Sequence, residues 1–349
     1  MADEDIRESL IAVQATGAGT ADAVAIDEST AVTAPDRASR FIRAVRFVRR
    51  SPKFALGAGI VLAIVLFAIF GPMLTQNPKF SGNEALQPPS TDHWLGTTGL
   101  GYDMLAQLAY GARGSLIIGV VVAAIAVSLS VLFGVVGGYL GGWTDEILSL
   151  ITNIMLVIPG LPLIIVISGY MDGRTVWFVA FVLGLTAWAG SAVVLRLQAR
   201  SLRNRDYVAA ARVSGEKAFR IVFVEIMPNL LPLFAAQFLF AMVFAILGEA
   251  GLSYLGLGAT GSITWGTILN DAQVGMALTR DAWWWFVPPG VLIALVGGGL
   301  SLINFSIDEI INPKLRAAPA AVKSVRKARK TVLKDDHAGT AGTTVKVDA

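Results

Sequence analysis

Few side chains in this sequence could carry out covalent chemistry, and those few stand apart. Ser191, in the pair Gly190-Ser191, could act as a nucleophile only with a base to take its proton, and the two histidines, His93 and His337, fall in separate loops outside the apolar runs. Two distant histidines also make no metal site within one chain, and no His-Glu-x-x-His run occurs. There is no cysteine, which removes disulfides, thiolate ligands and thiol nucleophiles together. No phosphate loop of the form G-x-x-x-x-G-K-[ST] is present, so nucleotide hydrolysis is not expected of this chain. Glu249 is the one carboxylate set near the edge of an apolar run. It has two possible uses: an ion-coupling group at membrane depth, or an acceptor for the backbone amides of the glycine-rich stretch that follows it.

The chemistry left over is that of moving or binding something, and composition says where. Hydrophobic residues make up 54% of 349 and charged residues 15%, with a mean hydropathy of +0.64. Soluble domains carry about 25% charge, so this is an integral membrane protein. Its net charge of +3 implies no nucleic-acid partner, because the basic residues are segregated along the chain rather than gathered in one patch.

Apolar runs long enough to span about 30 Å of hydrocarbon lie at 54–74, 114–138, 147–170, 175–195, 230–251 and 284–305. The expected fold is therefore an all-α bundle of six membrane spans within residues 54–316. Gly134, Gly138 and Gly142 follow a small-xxx-small spacing that permits close helix approach. Pro159 and Pro162 interrupt the third run, marking a kink that either lines a pathway or is packed inside. Residues 1–36 are small and acidic and read as a disordered tail. Arg37, Arg40, Arg43, Arg46 and Arg50 recur on one face of an expected amphipathic helix over 37–53. Residues 317–349 form a basic tail. All but four of the 28 Lys and Arg (Lys79, Arg113, Arg174 and Arg280) fall on one side of such a six-span chain. The positive-inside rule then puts both termini in the cytoplasm.

Residues 196–228 form a polar island between the fourth and fifth spans, with Arg196, Arg200, Arg203, Arg205, Arg212, Lys217 and Arg220. Asp206 stands at an N-cap position and Val208-Ala209-Ala210-Ala211 favours helix. Gly215 permits a turn, and an apolar stretch from Phe219 to Ile226 leads to Pro228-Asn229. The pattern predicts helix, glycine turn, helix, held in water between two spans.

The run D-Y-V-x-A-A-R-x-x-G at Asp206–Gly215, followed by I-x-P-N at Ile226–Asn229, resembles the coupling loop of ABC-importer permeases. The likeness is greatest to the group importing dipeptides, oligopeptides, nickel and some oligosaccharides. Further fragments agree with it: Pro88-Pro89-Ser90, His93-Trp94-Leu95-Gly96-Thr97, Gly101-Tyr102-Asp103 and Tyr110-Gly111-Ala112-Arg113 after the first span, then Glu249-Ala250-Gly251-Leu252-Ser253-Tyr254-Leu255-Gly256-Leu257-Gly258 with Trp265-Gly266. Near the C-terminus, Asn312-Pro313-Lys314-Leu315-Arg316 is similar to the family's closing motif. Five positions depart from the family pattern: Ala209 stands for Glu, Thr98 for Asp, Tyr102 for Arg, and Asn312 and Lys314 for the usual residues.

The resemblance implies the type I importer fold and the second permease of a pair, in a prokaryotic cell membrane. Its implied partners are a homologous permease, two ATPase subunits that hold ATP and Mg, an extracytoplasmic binding protein, and membrane lipid, with no cofactor or metal in this chain. Asp206, Tyr207, Ala209, Ala210, Ala211, Gly215 and Pro228 would contact the ATPase. The outer segment 75–112, through Trp94, Gly96, Gly101 and Asp103, would lie near the binding protein. A second outer segment, 256–283, would be partly re-entrant, with Trp283, Trp284 and Trp285 forming an interfacial belt. Peptides are the expected substrate class, with oligosaccharides or nickel chelates as alternatives. Two other classes are weaker. An ion-driven secondary transporter would need more membrane acids than Glu249, and an intramembrane enzyme would need a base near Ser191.

Overall fold

The computed structural model describes residues 51–170 and 173–311. The acidic tail 1–36, most of the basic segment 37–53, the Asn312–Arg316 motif and the basic tail 317–349 lie outside the described residues. The described residues form helices α1 (Pro52–Leu74), α2 (Met104–Leu140), α3 (Gly142–Val157), α4 (Gly160–Gly169), α5 (Val176–Arg203), α6 (Asp206–Val213), α7 (Ala218–Tyr254), α8 (Trp265–Val274) and α9 (Trp283–Ile311). Among the described residues the only extended pairing is a single bridge between Thr97 and Asp103. Five helices are long and apolar enough to cross a membrane, and α3 with α4, bent by 78° at their break, makes a sixth if the pair is one span.

The bundle is built on α2, which packs along α5 and α7, while α9 pairs with α1 and α7. Glycine makes the α2–α5 approach possible. A Cβ on Gly134 would sit 2.4 Å from the Ala192 carbonyl oxygen, and one on Gly138 would sit 2.7 Å from that of Arg196. Gly142 does not extend this stripe. It has φ +56° with open space around it and serves the turn into α3.

Proline within α1 is compensated from outside. Pro72 cannot donate to the carbonyl of Ala68, and the Arg113 Nε of α2 does so at 2.6 Å, with Nη2 on the Ile69 carbonyl at 2.7 Å. An arginine written on the outer side is thus a helix clamp. The broken third span behaves differently, for Pro159 and Pro162 are both exposed rather than packed in this chain's interior.

On the side of α2's start, residues 75–103 fold into a pad. Asp103 caps α2 by accepting from Ala106 N at 2.9 Å, and its other oxygen meets His93 Nδ1 at 2.8 Å. Two tryptophans of the expected belt turn inward instead. Trp284 is 8% exposed and donates from Nε1 to the Thr97 carbonyl at 3.1 Å, and Trp285 is 4% exposed. Only Trp283 faces outward from that run. An indole N–H with a buried acceptor is satisfied away from any interface, so the belt gives way to a pin between α9 and the pad. Within 256–283, α8 starts from a capping box of Thr264 and Thr267, and Trp265, fully buried, donates from Nε1 to the Leu108 carbonyl of α2.

Candidate functional site

The segment between α5 and α7 is more ordered than a loop. α5 continues to Arg203, eight residues past its expected end. Arg205 takes the cap position before α6, leaving Asp206 as the first helical residue, where its carboxylate complements the helix dipole. The C-terminal end of α6 is closed by two backbone bonds: Gly215 N donates to the Arg212 carbonyl at 3.0 Å, and Glu216 N to that of Ala211 at 3.1 Å. With φ +79° at Gly215, this is the Schellman cap. The fixed glycine of the motif therefore has a backbone reason. A Cβ there would meet nothing within 4 Å, so only the left-handed conformation demands it.

One side of α6 is anchored and the other free. Val208 is fully buried in a cluster with Val135, Tyr139, Leu195, Ile221, Val222 and Ile226. Arg212 closes that side, donating to the Arg203 carbonyl at 3.2 Å and lying over the Tyr139 ring at 5.4 Å. Asp206, Ala209, Ala210 and Val213, spaced i, i+3, i+4 and i+7, are all exposed. Val213 is 89% exposed. Tyr207 is partly turned back, its hydroxyl 3.5 Å from Asn229 Nδ2, and Ala211 is half-buried. Ala209 thus stands on the open stripe rather than in a cap.

The expected second short helix is not separate. Phe219–Ile226 is the first part of α7, which runs through Pro228 without a break. Proline cannot donate to the carbonyl four residues before it, and the π-helical stretch Ile221–Ile226, bonded i to i+5, precedes it. Asn229 Nδ2 donates to the Glu225 carbonyl at 2.6 Å. A second π-helical stretch, Val131–Val136, lies in α2. Both contribute to the cluster that holds Val208, so α6 rests on two irregular turns.

Beside this cluster lies a charge pair that sequence reasoning missed. Arg196 and Asp145 are 6% and 5% exposed, with Nε 3.3 Å from Oδ1. Arg196 also reaches Ser149 Oγ, Thr152 Oγ1 and the Phe133 carbonyl. Arg200, more exposed, pairs with the other Asp145 oxygen. The first turn of α3 is therefore tied to the last two turns of α5, which lead into α6. The available signal was position: Asp145 follows a glycine pair at a reversal, and Arg196 adjoins an uninterrupted apolar run.

Ser191 and Glu249 both find partners within this chain. Ser191 Oγ donates to Gln237 Oε1 at 2.7 Å. Glu249 is 1% exposed and accepts from Ser253 Oγ at 2.6 Å and Thr264 Oγ1 at 2.7 Å. Its partners are hydroxyls, not the expected backbone amides, and through Thr264 it links α7 to the cap of α8. Gly96 and Gly101 have φ +70° and +74°, and a Cβ on either would strike the carbonyl oxygen of Gln87 or Asn83. With Asp103 they hold the pad's shape, whereas Trp94 is 73% exposed on its surface.

Residues 130–317 match the family described as the inner membrane component of binding-protein-dependent transport systems. Residues 39–89 match the N-terminal transmembrane domain of oligopeptide transport permease C. The oligopeptide transport system permease protein OppC of Bacillus subtilis is 32% identical over 271 residues, covering 76% of this chain and 88% of the relative. The dipeptide transport system permease protein DppC of the same organism is 32% identical over 274 residues, covering 78% and 85%. OppC of Mycobacterium tuberculosis is 31% identical over 281 residues, covering 80% and 96%.

Proposed function

The chain belongs to the family of binding-protein-dependent transport inner membrane components, and on that premise we propose that it is the second permease of a peptide-importing ABC transporter. The substrate class rests on relatives named for oligopeptides and dipeptides. The matches reach both halves of the chain, including its N-terminal span. A homologous permease would complete the pathway, two ATPase subunits would bind ATP and Mg, and a binding protein would deliver peptide on the side of the pad and Trp94. Both termini would lie in the cytoplasm of a prokaryote, by the charge asymmetry of the loops.

The observation that carries the coupling role is the one-sided anchoring of α6. A helix with its buried side pegged by Val208 and its small-residue stripe bare has a surface for a partner and a rigid hold on the bundle. Asp206, Ala209, Ala210 and Val213 would enter an ATPase groove, Tyr207 and Ala211 would border it, and Gly215 would set the turn. Pro228, on α7, acts at the hinge side. Closure of the ATPases would then move α6 with the ends of α5 and α7 as one body, exchanging inward-open and outward-open states.

The test is co-purification from native membranes with ATPase and uptake assays of wild type and Gly215→Arg. Wild type should bring a second permease and ATPases with it. The arginine costs about 1–2 kcal/mol of backbone strain, and its Cβ meets nothing in this chain, so the bundle should fold while transport uncouples from hydrolysis. Purification of the chain alone, with uptake driven by an ion gradient, would overturn the assignment.

A further inference from the structure

Where α3 breaks into α4, a cavity of about 250 Å³ opens between the break, α5 and α7, walled by Met155, Ile158, Thr186, Ser191, Phe240 and Phe244. Thr186 and Ser191 are its polar lining groups, Gln237 stands beside it on Ser191, and all three lie more than two turns from either end of α5 or α7. Polar groups at such depth are tolerated facing protein or a water-filled cavity, and are costly against lipid. Two features leave hydrogen-bonding capacity unspent. Gln237 sits one turn before Phe240 and Ala241 on the same face, and Ser191 holds one end of its amide at 2.7 Å. Among the described residues, nothing meets the other end. Pro159 has no N–H, so the carbonyl of Met155, in the last turn of α3, has no donor four residues on.

We infer that this cavity is a binding site for the main chain of an extended peptide in transit, an assignment that rests on the peptide-importer reading and names its contact surface. The free end of the Gln237 amide and the Met155 carbonyl supply a donor and an acceptor of the kinds a peptide bond pairs with. Phe240 and Phe244, 56% and 62% exposed with ring centroids 6.0 Å apart, present apolar faces to side chains without selecting among them. Such a site reads backbone rather than sequence, as a pathway shared by many peptides requires.

The experiment uses the complete transporter in proteoliposomes, with radiolabelled tetra-alanine as the probe. With p-benzoylphenylalanine in place of Phe240, illumination should attach tetra-alanine to this chain only when binding protein and ATP are both present. Gln237→Leu should lower tetra-alanine uptake about fivefold to tenfold, the worth of one hydrogen bond, while ATP hydrolysis stimulated by the binding protein stays at the wild-type rate. Attachment to lipid or the second permease alone, or full uptake by Gln237→Leu, would overturn the site. If Gln237→Leu fails to assemble, the cross-link alone decides. Wild-type vesicles that take up no tetra-alanine under ATP would instead sink the peptide-importer reading itself.

Discussion

Removing the carboxylate of Asp145 tests the electrostatic strut beneath α6. Arg196 is 6% exposed and Asp145 5%, so Asp145→Ala leaves a guanidinium out of water with only neutral partners: Ser149, Thr152 and the Phe133 carbonyl. Breaking a buried pair from one side costs about 3–5 kcal/mol. Those neutral hydrogen bonds remain, which puts the expected loss near the lower end, about 3 kcal/mol. Arg200, whose side chain is 53% exposed, can rehydrate and should add little. The double variant Asp145→Leu with Arg196→Met replaces both charges by apolar groups of similar size and should recover most of the loss. Thermal unfolding of the purified complex, followed by tryptophan fluorescence for wild type, Asp145→Leu, Arg196→Met and the double variant, gives the coupling energy. Uptake per ATP hydrolysed, measured on the same four proteins, asks whether the pair also transmits force. The double variant should be stable yet poorly coupled if the ion pair moves α3 with α5. Equal instability of single and double variants, or a loss below about 0.5 kcal/mol for Asp145→Ala, would refute the reasoning.

Two further outcomes follow from packing. Gly134→Val should cost about 1–3 kcal/mol and weaken assembly, because its Cβ alone would lie 2.4 Å from the Ala192 carbonyl oxygen and α2 would have to leave α5; Gly190→Ala, inside α5 with nothing within 4 Å, should instead raise the midpoint slightly, by about 0.5–1 kcal/mol of helix propensity. Trp284→Phe removes the indole donor to the Thr97 carbonyl and should cost about 1 kcal/mol, read as faster protease cleavage within 75–103 without loss of the membrane-embedded fragment.

Much of this protein was legible in its sequence because the membrane imposes simple rules. Apolar runs must span hydrocarbon, backbone groups there must bond within helices, and cations collect on one side. The runs at 54–74, 175–195 and 284–305 therefore appear as α1, α5 and α9, and the motif from Asp206 to Gly215 appears as one helix with its glycine cap. Gly215 was readable because its demand is local: a left-handed residue closing a helix needs no neighbour.

What the sequence left open depended on which surfaces meet. Trp284 and Trp285 satisfy the local pattern of an interfacial belt, yet they turn inward because the pad offers an acceptor and a cavity nearly 190 residues earlier in the chain. Glu249 was visible as an acid at membrane depth, but its hydroxyl partners belong partly to a loop fifteen residues on. Gly134 and Gly142 carry the same motif and have different uses, since only Gly134 faces another helix. Asp145 and Arg196 are 51 positions apart in the numbering, and although each stands at a telling position, neither neighbourhood names the other as its partner. Spans and caps follow from forces acting within a few residues, whereas pairs of buried polar groups follow from the cost of leaving each one alone, and that cost is set only when the helices pack.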